Sequence, residues 1–360
     1  MAGKNRSFFG RFLTDLFLGA NVCSLVLLWM CVLSTYVSPA MFPKLSLVGL
    51  AFPFLLAVNA AFCLFWLIFR IRLLWVPVVG MLVIGAFIRD YCPIRLTSGG
   101  EVDSSSVCVL SYNVGSVNND ESRFTLDSLV QVLHPDVICL QEMSSAWVNM
   151  QVLNKWRDSL GYEMLSSRSR YIFSRHHILG DSIPVSVQSN NGCNGILACW
   201  ISLDGDSVLV VNNHLESNSL TPDDKSEYKK MILEHEKDQL RHGGRLLAGK
   251  LSDAARYRSM QTDSLCQLID QNMGHGIIVC GDLNDTPISY TYQSVARRLE
   301  SAFASSGSGV GVTFNQRGFP VRIDHLFFSP QWECLKCDVK SDISASDHYP
   351  FVVYLHKKQQ

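Results

Sequence analysis

The sequence predicts an α/β or α+β domain over residues 107–357, preceded by an apolar, helix-forming N-terminal region. Three observations carry this. Hydrophobic residues make up 48% of the 360-residue chain and mean hydropathy is +0.14, and the apolar excess lies in the first 100 residues. Those 100 residues hold eight Lys/Arg and two acids, which leaves 23 bases and 30 acids of the chain's 31 and 32 to the remainder, so a leader of charge +6 precedes a body of charge −7. Beyond residue 106, short apolar runs alternate with amphipathic stretches, the pattern of sheets covered by helices.

Residues 1–95 read as a membrane anchor with apolar spans at 12–36, 45–69 and 73–88. The first two exceed the roughly 20 residues needed to cross a hydrocarbon core. The third is shorter, but it is uncharged between Arg72 and Arg89 and is expected to be a third crossing. A cleaved signal peptide would suit Lys4, Arg6 and Arg11; it is disfavoured because the first span is long for such a segment and two more follow it. Pro53 and Asn59 are tolerable inside a packed helical bundle. Basic residues concentrate before the first span and at Arg70 and Arg72, with Lys44 alone between the first two spans. The positive-inside rule then places everything after about residue 90 on the outer face.

Residues 96–106 (LTSGGEVDSSS) have linker composition. The strand-like runs that follow are VCVLSYNV, DVICLQE, RYIFS, ILACWIS, SVLVVNNHL, GIIVCGDL, RIDHLFF and YPFVVYL. Residues 221–273 read as helical, with Thr221 as N-cap and Pro222 in the first turn. A break is expected at Gly243–Gly244, then a second helix over 251–272 with Leu265, Leu268 and Ile269 on one face. Cys108, Cys139 and Cys280 sit inside apolar runs and read as core residues. Cys334 and Cys337 form a lone CxxC, a weak zinc or redox signal that fits a surface disulfide or two free thiols. Cys193 and Cys199 are a further possible pair. The acidic body gains little from the counterion release that drives indiscriminate nucleic-acid binding.

Polar residues close most of the apolar runs: Asn113 in LSYNVG, Glu142 in CLQEM, His214 in NNHLE, Asp282 and Asn284 in GDLNDTP, Asp324 in RIDHLFF, and Asp347 with His348 in SDHYP. One acid at a strand end is usually a turn or cap residue. A whole series, each emptying an apolar strand into a group able to bind metal or phosphate, points to chemistry. Carboxylates, histidines and asparagines without a Cys/His set suit a hard cation such as Mg²⁺ rather than zinc.

In order and wording, LSYNV, DVICLQE, YIFSRHHI, NNHLE, GDLNDTPISYTY, RIDHLFFS and SDHYPFVV resemble the endonuclease/exonuclease/phosphatase superfamily over about residues 107–356. The apolar leader resembles that of membrane-anchored bacterial members. The resemblance implies an α/β four-layer sandwich of two packed mixed β-sheets flanked by helices. It implies a metal site of Glu142, Asn113 and Asp347 for Mg²⁺ or Mn²⁺, and a catalytic group of His214, Asp282, Asn284, Asp324 and His348. Asp282 resembles the carboxylate that orients or deprotonates water, Asn284 the residue that fixes that water or the phosphate, and His214 the histidine on the scissile phosphate. His348 resembles a second catalytic histidine held by Asp324. The sequence departs from the family at His176 and His177, and Arg175 reads equally as a phosphate contact or a structural ion pair.

The function expected is a membrane-anchored, metal-dependent phosphoesterase in a bacterial inner membrane with its catalytic domain on the periplasmic face. Its partners would be the bilayer and a phosphate ester borne by a lipid, a small molecule or nucleic acid; no protein partner is inferred. An extracytoplasmic nuclease and a catalytically silent scaffold are the alternatives.

Overall fold

The computed structural model describes residues 8–95, 100–103, 105–115, 120–143, 151–189, 194–203, 205–218, 237–315 and 320–358. The expectations placed on Thr221, Pro222 and Cys193 lie outside these residues.

The N-terminal region is helical. Helix α1 runs Phe8–Ser34; a 3-10 segment, Pro43–Ala51, leads into α2, Phe52–Phe69. Two helical stretches, Phe8–Ser34 and Pro43–Phe69, are long and apolar enough to cross a membrane. Their polar residues satisfy one another, as a low-dielectric setting requires. Asn21 donates Nδ2 to Asn59 Oδ1 at 3.1 Å, Trp66 donates Nε1 to Asn21 Oδ1 at 3.0 Å, and Asn59 donates to Leu55 O at 2.8 Å.

The third apolar span is not one straight helix. Helices α3, Trp75–Leu82, and α4, Gly85–Tyr91, belong to stretches bent by 69° relative to each other. A side chain drawn onto the carbonyl ladder explains the bend. Trp29 of α1 donates Nε1 to Gly80 O at 2.9 Å, and Ile84 N turns instead to Met81 O at 3.1 Å.

The remainder folds as two six-stranded mixed sheets. In chain order the strands are β1 (Val107–Asn113), β2 (Val137–Gln141), β3 (Glu163–Ser167), β4 (Arg170–Ser174), β5 (Ile178–Ile183), β6 (Gly195–Leu203), β7 (Asp206–His214), β8 (Gly276–Asp282), β9 (Glu300–Ser301), β10 (Asp324–Phe328), β11 (Trp332–Val339) and β12 (Phe351–Lys357). The first sheet has the order β11-β12-β1-β2-β4-β3 and the second β5-β6-β7-β8-β10-β9. Their centres are two parallel pairs, β1 (Val107–Asn113) with β2 (Val137–Gln141), and β7 (Asp206–His214) with β8 (Gly276–Asp282). All other pairs are antiparallel, among them β12 (Phe351–Lys357) against β1 and β10 (Asp324–Phe328) against β8.

Strand alternation sorts the core into layers. Val109, Cys139, Val210, Ile278 and Cys280 point inward to a core shared by both sheets. Leu110, Ile138 and Leu140 point outward onto α5 (Asp120–Leu133) and α6 (Gln151–Leu160), where Leu126, Val130 and Trp156 meet them. Leu209, Val211 and Val279 face α7 (Lys237–Gln271) and α8 (Tyr290–Ala296) through Leu265, Ile269, Tyr292 and Val295. The three cysteines expected in the core are buried and free; Cys199, Cys334 and Cys337 are free as well.

Helix α7 runs without a break through Gly243 and Gly244, against the expected interruption. Each glycine costs an exposed helix about 1 kcal/mol relative to alanine. Here α7 is backed by the 3-10 segment and by α8, and that packing overrides the local preference.

Candidate functional site

The two parallel pairs point their C-terminal ends the same way, and their last residues carry the polar groups. In register, Asn113 lies opposite Gln141, His214 opposite Asp282, and Asp282 opposite Asp324 across the antiparallel pair. Glu142, one residue past β2, has φ +57°, a conformation that costs a non-glycine residue about 1–3 kcal/mol and accompanies functional positions. Asn284 has φ +53°, which asparagine tolerates. Gly281, at φ +123°, admits no Cβ because one would overlap the backbone of Asn213.

Two clusters of metal-competent atoms share one carboxylate. Glu142, His214 and Asp282 form one, and Asp282, Asp324 and His348 the other, with ligand atoms in each within 4.8 Å of one another. In the first, Asn113 donates Nδ2 to Glu142 Oε1 at 3.2 Å and to Asp282 Oδ2 at 3.0 Å. His214 Nε2 stands 3.3 Å from Glu142 Oε1 and 3.9 Å from Asp282 Oδ2. Neither ring nitrogen of the buried His214 has a hydrogen-bond partner among the described residues. In the second cluster His348 Nδ1 lies 2.8 Å from Asp324 Oδ2, while His348 Nε2 points toward Asp282 Oδ2 at 3.8 Å.

These contacts polarise the carboxyls in opposite directions. Burial alone would raise the Glu142 carboxyl, but the attraction of His214, the Asn113 amide and His348 hold it at about 2. Burial raises Asp282 to about 6, reinforced by the charge of Asp324 and opposed by His348 and His214. Burial would discharge His348, yet Asp324 beside it, with Asp282 and Asp347, lifts the ring to about 10. One carboxylate is thus held ionised, a second has an increased proton affinity, and an imidazolium is fixed between acids.

The other expected residues fall as follows. Asn284 donates its backbone N–H to Asp282 Oδ1 at 2.7 Å and its side-chain Nδ2 to Leu215 O at 3.0 Å. Asp347 is half-buried beside His348, its carbonyl accepting Asn315 N at 2.9 Å, and it belongs to neither cluster of mutually close ligand atoms. Arg175 donates to His134 O at 3.1 Å and lies 3.8 Å from Asp136, a structural role. His325 faces away from the clusters and meets Asp285 O at 2.9 Å.

Sequence reasoning passed over four supports. Asn212, in the NN of NNHLE, crosses between the sheets: it accepts from Gln141 Nε2 at 2.7 Å and donates to Leu140 O and Tyr171 O at 3.0 and 2.9 Å. Arg258 and Gln261 reach in from α7. Arg258 Nη1 donates to Glu216 O at 2.8 Å and Asn218 Oδ1 at 2.9 Å, and its Nε lies 3.4 Å from Asp285 Oδ2. Gln261 accepts Glu216 N at 2.7 Å. Phe314 sets its ring edge-on to His348, centroids 5.0 Å apart. Only the doubled asparagine had a sequence signal.

The donor set fits a divalent cation. Carboxylate oxygens of two acids converge with the His214 imidazole, and the packed acids Asp282 and Asp324 are like charges that a cation would relieve. Residues 251–348 match the profile of the endonuclease/exonuclease/phosphatase family, and residues 14–91 match a profile described only as a domain of unknown function, DUF8431. No protein of curated function matches the chain. Among solved structures, the human Nocturnin catalytic domain with bound sulfate anion is similar at TM-score 0.51 and 17% identity, over 72% of this chain and 97% of that one. An endonuclease/exonuclease/phosphatase from Beutenbergia cavernae gives 0.49 and 16%, over 70% and 72%. A humanized D. rerio TDP2 gives 0.47 and 16%, over 71% and 100%. The Nocturnin likeness agrees with the sandwich of two mixed sheets expected from the sequence.

Proposed function

We propose that this chain is a membrane-anchored, divalent-metal-dependent phosphoesterase that hydrolyses phosphate esters with a water activated at Asp282. The observation that carries the reading is the shared carboxylate. Asp282 belongs both to the Glu142–His214 cluster and to the Asp324–His348 cluster, so a water activator, an acid-rich cation site and a charged imidazole meet at one point.

A phosphate ester is anionic and resists attack, so its hydrolysis needs charge neutralisation, an oriented water and a proton donor. Glu142 would be the principal ligand of Mg²⁺ or Mn²⁺, with Asn113 and Asp347 completing the shell directly or through water. When bound, the cation polarises phosphoryl oxygens and offsets developing charge. The raised proton affinity of Asp282 suits it to take the proton of an attacking water near neutral pH. Asn284, fixed by Leu215 O, orients that water or the phosphate. His214 contacts the scissile phosphate and delivers a proton to the leaving oxygen. His348, kept cationic by Asp324, attracts the phosphoryl oxygens, and Asp324, bonded to Nδ1, fixes the orientation of the ring.

The anchor reading goes with this. Residues 71–91 would complete a third crossing in spite of their bend, because Arg70 lies at the far end of α2 while Tyr91 packs against Phe52 at its near end. Basic residues then favour the catalytic body on the outer face, the periplasmic side of a bacterial inner membrane. The charge of −7 on residues 101–360 gives the nuclease alternative less support.

The test is hydrolysis of bis-p-nitrophenyl phosphate and p-nitrophenyl phosphate by the full chain in detergent, with EDTA, Mg²⁺ or Mn²⁺. Glu142→Ala and His348→Ala should each lose roughly 10²–10⁴-fold in kcat. Activity that resists EDTA, or that survives both substitutions, overturns the proposal.

A further inference from the structure

The chain leaves α4 at Tyr91 and is fastened to the catalytic body at once. Pro93 O accepts Gly309 N at 2.8 Å. The buried Arg322, two residues before Asp324, donates Nη1 to Val310 O at 2.8 Å and Nη2 to Asp90 O and to Tyr91 O, the latter at 3.3 Å. From Gly309 the chain reaches Phe314 in five residues, and there it bridges to the backbone of His348 and sets its ring against the imidazole. At no more than about 3.6 Å per residue, Phe314 is within roughly 18 Å of Gly309. The catalytic centre is therefore tied to the exit of the anchor by a short loop.

Around that exit the surface is apolar and basic. Ile94 is 84% exposed and Val310 41% exposed, and they flank the Pro93–Gly309 hydrogen bond. Arg89 and Arg95, both exposed, stand on either side of Ile94 in sequence. Met41 and Phe42, at 73% and 60% exposure, lie in the connection after α1. That connection is at the same end of the anchor, since Arg297 of the body donates to Thr35 O at 3.2 Å. Apolar side chains between arginines at the end of a membrane helix suit the headgroup layer, where the chains bury in the acyl boundary and the guanidinium groups meet phosphates.

We propose that Ile94 and Val310, held together by the Pro93–Gly309 bond, form a lip that dips into the bilayer surface and holds the catalytic site against it. The preferred substrates are then phosphate esters carried by membrane-embedded molecules. This rests on the phosphoesterase reading above.

Two substrates with the same reacting bond separate the possibilities. Hexadecyl p-nitrophenyl phosphate partitions into vesicles, whereas ethyl p-nitrophenyl phosphate stays in water. The full chain is reconstituted in phosphatidylcholine vesicles, and p-nitrophenol release is followed for wild type and for the double variant Ile94→Asn, Val310→Asn. Wild type should favour the vesicle-borne ester by about tenfold or more in kcat/KM, as burial of a few methylenes at a lip implies. The variant should raise the apparent KM for that ester several-fold while its rate on the ethyl ester is unchanged. Equal kcat/KM for the two esters in wild type, or a variant that leaves both untouched or lowers both alike, overturns the lip. If wild type hydrolyses the ethyl ester but not the hexadecyl ester, this inference alone falls. If it hydrolyses neither, the phosphoesterase reading falls and takes the lip with it.

Discussion

Replacing Asp324 with asparagine should discharge His348 across the neutral range. The two groups are buried, with Nδ1 and Oδ2 2.8 Å apart, and the imidazole titrates at about 10 against an ordinary value of 6.5. That rise corresponds to about 5 kcal/mol of preference for the charged ring, at about 1.4 kcal/mol per pH unit. Asp282 and Asp347 supply part of it, so asparagine, which keeps the shape but not the charge, removes the largest favourable share. A group whose folded value is raised adds stability that is complete below its unfolded value and lost as pH climbs through its folded value. In the EDTA-treated wild type, stability should fall by about 1.4 kcal/mol per pH unit between 6.5 and 10 on this account. Asp324→Asn should flatten that slope. The assay is the Cε1–Hε1 resonance of His348 in histidine-labelled protein, assigned with His348→Ala, together with thermal midpoints at pH 7, 8 and 9. A His348 that titrates near 6.5 in wild type, or equal slopes in the two proteins, refutes the reasoning.

Three further outcomes follow from the packing. Burial drives His325 down to about 3, so its contribution is present above 6.5 and lost as pH falls; His325→Gln, which can still donate to Asp285 O, should relieve on the order of 3 kcal/mol of destabilisation at pH 4, read as a smaller drop in thermal midpoint on acidification. Arg258→Met should cost about 3–5 kcal/mol by stranding the buried Asp285 carboxylate and Glu216 O, and thermal melting with kcat on bis-p-nitrophenyl phosphate would register both losses. Gly49→Val should cost about 1–3 kcal/mol, because a Cβ there overlaps the backbone carbonyl of Ile288; an unchanged melting curve in detergent would show that this contact does not hold the anchor to the body.

The candidate residues were legible because each stands at an end of an apolar run whose alternation marks a strand, Asn113, Glu142, His214, Asp282 and Asn284 at or after its close and Asp324, Asp347 and His348 at or before its start, and the chemistry of Glu142, His214, Asp282 and His348 is local to those ends. Their convergence was not legible from spacing. It depends on registers such as His214 opposite Asp282 and Asp324 opposite Asp282, which pair residues 68 and 42 positions apart in sequence. The supports from α7 were hidden for a different reason. Arg258 lies in a charged amphipathic run that reads as a solvated face, yet it is 4% exposed because the loop after His214 folds over it. Gly243–Gly244 misled in the opposite sense, a strong local breaker outweighed by packing of the whole helix. The bend near Ile84 was invisible because its cause, Trp29, belongs to another helix.

The linker-like composition of residues 96–106 suggests a tether between independent parts, and the contacts argue otherwise. Before that stretch begins, Asp90 accepts Gln293 Nε2 at 2.9 Å, and the same amide nitrogen donates to Pro287 O at 3.0 Å. Pro287 and Ile288 end the loop that starts at Asp282, and Ile288 is buried among Leu28, Cys31 and Phe52 of the anchor. Arg297 lies over the Tyr36 ring at 4.7 Å, and Arg322 over the Phe303 ring at 3.9 Å, with its Nη2 turned to Asp90 O and Tyr91 O. Removing the first 95 residues would expose Ile288 to water and take from Gln293 and Arg322 their partners Asp90 and Tyr91. The loop carrying Asp282 and Asn284 is supported on one side by β10 and on the other by the anchor. The N-terminal helices are thus joined to the remainder by packing, and the loop that carries the candidate site residues Asp282 and Asn284 rests on them through Ile288.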